Sequence, residues 1–169
     1  MSDKSEKIAR ILEPLQGRAL DSHYLGYFEC FNRQLFFEAH EVLETLWLPQ
    51  RGSPKALFYK GLIQLAGAFV HFEKNRIQPA AALLRLARTN LSQYPAPYEG
   101  LDTAEVVDMI GNWLGGSGPE GQVKNPLLWE NKPKLVLQAG PEQGRAAPEP
   151  SKEPGSSSTR LATRASECP

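Results

Sequence analysis

The sequence predicts an all-α fold, a compact antiparallel bundle of about five helices followed by a disordered C-terminal tail. Three observations predict it. Apolar residues recur at helical spacing through most of residues 5–114. No segment shows clean period-two alternation with β-branched residues, so no sheet is expected. The connections are short and marked by Pro, Gly and Asn, which favours antiparallel neighbours.

The elements follow in order. A short helix over 5–14 ends at Pro14. A second spans about 20–32, with Tyr24, Tyr27, Phe28 and Phe31 at helical spacing and Asn32 at its end. A third runs from about 34 to 48 and stops at Pro49. After a loop containing Gly52, Ser53 is a suitable N-cap with Pro54 at the first helical position, opening a long apolar helix over 54–74. Asn75 to Gln78 turn the chain, and Pro79 opens a helix to about Tyr94, broken by Pro95 and Pro97. Asp102 or Thr103 caps a last helix over 103–114, closed by Gly115 and Gly116. Beyond it, Leu127, Leu128, Trp129, Leu135, Val136 and Leu137 suit an extended strap over the bundle, since Lys132, Pro133 and Lys134 oppose a helix. The chain thus divides into an N-terminal helix and linker (1–19), a helical domain (20–115), a strap (116–139) and a tail (140–169). The tail lacks aromatic residues and is dominated by Pro, Gly and Ser, too little apolar area to offset ordering entropy.

Bulk properties exclude several classes. The 169 residues suffice for one domain with a real core. Its 19 basic residues balance its 19 acidic ones, so there is no electrostatic case for a nucleic-acid or anionic-membrane partner. No apolar run is long enough to span a bilayer, and the first residues lead into an amphipathic stretch, not a signal peptide. The expected location is the cytoplasm. Cys30 and Cys168 are far apart and unsuited to a structural disulfide; Cys30, among Tyr27, Phe28 and Phe31, reads as a small core residue.

The most informative pattern is His40-x-x-x-Glu44-x-x-Trp47 on the third helix. Positions i, i+4 and i+7 share one helix face. At about 100° per residue, Gln34, Glu38, Glu41 and Thr45 form the wet stripe. His40 and Glu44 then fall roughly opposite, among Phe36, Phe37, Leu43 and Trp47. An imidazole and a carboxylate facing an apolar core need each other, a metal or another polar partner. On the long helix, Lys60, Gln64, Gly67 and His71 form a second aligned stripe. Either that stripe faces water, or it faces the third helix and brings Gln64 or His71 to His40 and Glu44.

Three uses of the pair stay open. It is a buried structural hydrogen bond that orients the helix; or a ligand set for Zn, Fe or Mn, with His71 and a further carboxylate such as Glu41; or a metal-free acid/base or small-ligand site, with His40 the acid/base and Glu44 its partner. A metalloprotease HExxH is absent, because Glu44 stands where the second His belongs. No Gly-rich phosphate loop or nucleophile elbow is present. The aromatic residues of the 20–32 helix suit a homodimer surface as well as a core.

The run Phe31-Asn32-x-x-Leu35-Phe36-Phe37-Glu38-Ala39-His40-Glu41-Val42-Leu43-Glu44-x-x-Trp47, followed by Phe58-Tyr59-x-Gly61-Leu62-Ile63-Gln64-Leu65-Ala66 and His71, resembles the DUF309 family over about residues 20–102. These are bacterial and archaeal proteins of uncharacterised function. The resemblance implies a small all-α bundle and an HxxxExx(W/Y) motif with suggested metal binding, which falls here on His40, Glu44 and Trp47. It supplies no reaction. Two functions follow as expectations: a metal- or small-ligand-binding site formed by His40 and Glu44, with Glu41, Trp47, Gln64 and His71 as neighbours, or a non-enzymatic helical interaction module in which the pair is structural.

Overall fold

A computed structural model of the chain describes residues 3–115 and 122–138. The expected tail over 140–169 and the glycine at 116 lie outside the described residues. The described residues form six α-helices: α1 (Asp3–Leu12), α2 (Ser22–Asn32), α3 (Phe36–Trp47), α4 (Ala56–Glu73), α5 (Ile77–Leu91) and α6 (Thr103–Trp113). Single 3-10 turns follow at Glu13–Leu15, Leu48–Gln50 and Pro126–Leu128. Among the described residues there is no strand, only the isolated bridges Tyr98–Leu101 and Leu101–Leu137.

Local chemistry sets most boundaries. Asp21 caps α2 by accepting from the His23 N–H, and Asp102 caps α6 by accepting from the Glu105 N–H. Gly115, at φ 96°, terminates α6. Two expected caps are placed differently. Ser53 does not cap α4, which begins at Ala56 after a turn and has no side-chain cap. α5 begins at Ile77, so Pro79 lies third in the first turn, where its missing N–H leaves no hydrogen bond unmade.

The core forms around α4. This helix buries Phe58, Leu62, Leu65, Phe69 and Phe72 and packs against α3 on one side and α5 on the other. Phe69 is the hub. Its ring meets Phe36 at 4.8 Å, Phe31 at 5.1 Å, Trp113 at 5.2 Å and Phe72 at 5.6 Å between centroids. Those rings come from α2, α3 and α6 as well as α4 itself, so one side chain ties four helices. Gly61 lets α5 approach: a Cβ there would stand 2.9 Å from Leu91. The price of two helical glycines, about 1 kcal/mol each relative to Ala, is offset by that close packing. Tyr27, fully buried, donates to the Leu62 carbonyl at 2.8 Å and locks α2 to α4.

The strap runs extended across the bundle. Leu135 is buried. The Asn32 side chain donates to the Leu135 carbonyl and accepts from its N–H, both at 2.8 Å, so one amide at the end of α2 mimics a strand partner. Asn125 donates to the Phe72 carbonyl, and the Gln138 N–H to the Gly100 carbonyl at 2.7 Å.

Two predictions follow from this core. Phe69→Ala removes the hub and costs about 3–5 kcal/mol in denaturant unfolding. Burial pushes the Cys30 thiol from 9.0 up to about 11, with the Glu38 carboxylate adding to the rise. The thiol therefore ionises first in the unfolded chain. Its contribution to stability is complete below pH 9 and declines as pH rises from 9 toward 11. Cys30→Ala makes stability fall less steeply across that window, measured by urea unfolding at stepped pH.

Candidate functional site

The exposure pattern of α3 decides where the motif points. Its buried stripe is Phe36, Ala39, Val42 and Leu43. At about 100° per residue, His40 and Trp47 fall on the flank of that stripe and Glu44 lies further out. The two side chains are 33% and 41% exposed. The expectation that His40 and Glu44 face the apolar core is corrected accordingly. The pair sits at the rim of the core and is open to solvent. The sequence misled because apolar residues occupy more than one face of this helix: Phe37, counted toward the core, is 47% exposed. Glu38, counted as wet, turns toward α1 and pairs with Lys7.

His40 Nδ1 and Glu44 Oε2 are 3.9 Å apart, a loose i, i+4 ion pair when the imidazole is protonated. The other edge of the ring lies against α4. A Cβ on Gly67 would stand 4.0 Å from His40 Cδ2 and 3.3 Å from Leu83 of α5. Gly67 is thus a gap in the surface of α4, flanked by the imidazole on one side and Leu83 on the other. The stripe Lys60, Gln64, Gly67 and His71 does both things the sequence allowed. Lys60 is exposed, while Gln64, Gly67 and His71 are half-buried between α3 and α5.

The neighbours divide. Gln64 is not a partner of His40; its Oε1 accepts from Asn90 Nδ2 of α5 at 2.8 Å. His71 lies four residues beyond Gly67, a rise of about 6 Å, and its Nδ1 is buried with no hydrogen-bond partner among the described residues. Trp47, seven residues beyond His40 on the same flank, has its Nε1 in the same condition, with the Arg51 guanidinium carbon 5.9 Å from the ring centroid. Glu41 is half-exposed, and its carbonyl accepts from Thr45 Oγ1 at 3.0 Å. The site is therefore a shallow groove over Gly67, with His40 of α3 on one side, Leu83 of α5 on the other and the α4 backbone beneath. Asn90 and Leu83 had no signal in the sequence, because nothing local links α5 to the motif.

A catalytic zinc takes three protein ligands and a structural one four. His40 and Glu44 supply two, and among the described residues no group of three or more His, Cys, Asp or Glu side chains is arranged to hold an ion. The residues do not form a complete metal centre.

Residues 24–84 match the family described as Domain of unknown function (DUF309), from α2 into the middle of α5. Over these residues the chain is similar to that family, and the match covers about a third of its length. The whole HxxxExxW helix and the α4 stripe lie inside the matched region, whereas α6 and the strap lie outside it. The chain is also similar to an uncharacterized protein of Aquifex aeolicus (strain VF5), 28% identical over 95 residues. The aligned part covers 54% of this chain and 28% of that protein, so the chain spans less than a third of its relative. No solved structure matches significantly.

The exposure of the pair makes a direct prediction. His40→Ala changes stability by less than about 1 kcal/mol, as for other solvent-open pairs. Leu43→Ala, on the buried stripe of the same helix, costs about 2–5 kcal/mol. Urea unfolding of the two variants side by side checks both.

Proposed function

We propose that the DUF309-like region is a ligand-binding module whose site is the groove between α3 and α5, with His40 and Glu44 as the polar pair at its rim. The observation that carries this reading is the gap at Gly67, where the His40 imidazole and Leu83 flank the α4 backbone. Trp47 Nε1 and His71 Nδ1 are buried with no hydrogen-bond partner among the described residues, as are Ser53 Oγ and Trp113 Nε1 elsewhere in the bundle, so these nitrogens do not single out the groove. A small polar molecule seated over Gly67 has His40 and Glu44 on one side. The reading without a ligand, a buried structural pair, fits the exposure of His40 and Glu44 poorly.

A divalent ion, Zn, Fe or Mn, enters this proposal as part of the ligand. The chain offers it His40 and Glu44, and the remaining positions fall to water or to the bound molecule. A second reading, a helical interaction module that docks another protein or a second copy, is favoured by one observation. Phe37, Leu48 and Leu86 are 47%, 46% and 51% exposed on α3, the turn after α3 and α5.

Native mass spectrometry and metal analysis of the tag-free protein separate these readings, beside a His40→Ala, Glu44→Gln variant shown by circular dichroism to be folded. The proposal expects a small-molecule adduct or stoichiometric metal in the native protein and its loss in the variant. Neither species in the native protein, together with no change in its spectrum on titration with Zn²⁺ or Mn²⁺, contradicts it. Loss of self-association or partner capture in Phe37→Asp, with no ligand found, moves the assignment to the interaction module.

A further inference from the structure

One well-formed cavity lies away from the HxxxExxW groove. A cleft of about 520 Å³ opens between α1, the turn that follows it and α2. Ligand cavities run from about 300 to 1,000 Å³. Three guanidinium groups from three separate elements line it: Arg10 from α1, Arg18 from the linker and Arg33 from the end of α2. Lys7 adds a fourth cation and Asp3, Glu6 and Glu29 supply three carboxylates, so the lining carries a small excess of positive charge that an oxyanion would complement. Arg33 meets Glu29 at 3.7 Å, with both side chains more than half exposed, a pair that contributes little and exchanges readily. Arg10 and Arg18 have no acidic partner among the described residues. Asp3 and Glu6 also line the cleft, toward the start of α1, and limit the negative charge it accepts. A single oxyanion suits it better than a polyphosphate.

The cleft continues into an apolar trough. A second cavity of about 270 Å³ shares Leu15, Arg18 and Glu29 with the first. It runs over Leu25 and Phe28 of α2 to Leu135 and Leu137 of the strap. Val136, at the lip, is 72% exposed. Arg18 therefore stands at the junction of a charged chamber and one lined largely by Leu25, Phe28 and the strap. Planar guanidinium groups recognise carboxylate and phosphate by paired hydrogen bonds, and an apolar trough gains by covering a hydrocarbon chain.

We propose that this composite cleft binds a small amphipathic anion, its phosphate or carboxylate head on Arg10, Arg18 and Arg33 and its hydrocarbon body along Phe28 and the strap. The strap's anchorage through Asn32 then has a use beyond stability, because it forms one wall of the trough. The site is independent of the His40 groove.

The test is isothermal titration of the full chain with monododecyl phosphate, dodecanoate, inorganic phosphate and neutral dodecyl maltoside, each below its micelle threshold. The expected result is saturable one-to-one binding of at least one dodecyl anion, ten-fold or more tighter than inorganic phosphate, with no matching signal from the maltoside. The tighter of the two anions identifies the head group. Arg10→Gln combined with Arg18→Gln, and separately Val136→Asp, each weaken binding ten-fold or more. All three side chains are exposed, so these variants keep the native melting curve. Equal binding of the neutral detergent, no saturable heat with either anion, or affinity unchanged in both variants overturns the proposal.

Discussion

Everything in this domain depends on the near-complete burial of α4. The helix is so apolar that only a narrow stripe of it can stay wet. α3 and α5 must flank it, α2 and α6 must close over its inner face, and Phe69 marks the point where these demands meet. The rings of Phe31, Phe36 and Trp113 surround that one side chain at edge-to-face and stacked geometries. Such contacts add to area burial, and because they come from different helices they fix the bundle's register as well as its stability.

The same constraint generates the groove. Where α4 cannot be covered, it presents Gln64, Gly67 and His71 between two walls, and a glycine at the middle lets His40 and Leu83 close on the backbone from opposite sides. The polar pair of α3 is thus supported by a rigid, well-packed floor while its outer edge stays in solvent. That combination suits recognition: a binding group gains from neighbours that hold it in place. The cleft on α2 obeys a different logic, since α1 and the strap attach to the bundle by few contacts and leave space between them.

Much of this was legible in the sequence. All six helices follow from apolar spacing and Pro or Gly breaks, and Asp102, Asn32 and Gly115 stand at the boundaries their chemistry favours. Of the residues expected to pack as a strap, Leu135 is buried, whereas Leu128, Trp129 and Val136 stay exposed. The orientation of α3 was not. A helix with Phe36, Phe37, Leu43, Leu46 and Trp47 has no single apolar face, and only the actual positions of α2 and α4 decide that Phe37 goes out and Ala39 goes in. The Ser53 and Pro54 signal failed because the chain takes an extra turn before α4 begins. The link from Gln64 to Asn90 joins residues whose pairing depends on how α4 and α5 cross, which spacing along one helix does not encode.

The central claim is that the fold holds His40 at an open groove and not in a sealed core. Diethyl pyrocarbonate labelling of the native protein, with the modified histidines mapped by peptide mass spectrometry, tests it most directly. The account predicts that His40 reacts in the folded chain at a rate within a few-fold of the unfolded chain. Protection of His40 until the protein unfolds would mean that the pair is sealed inside the bundle, and the groove could not then serve as a binding site.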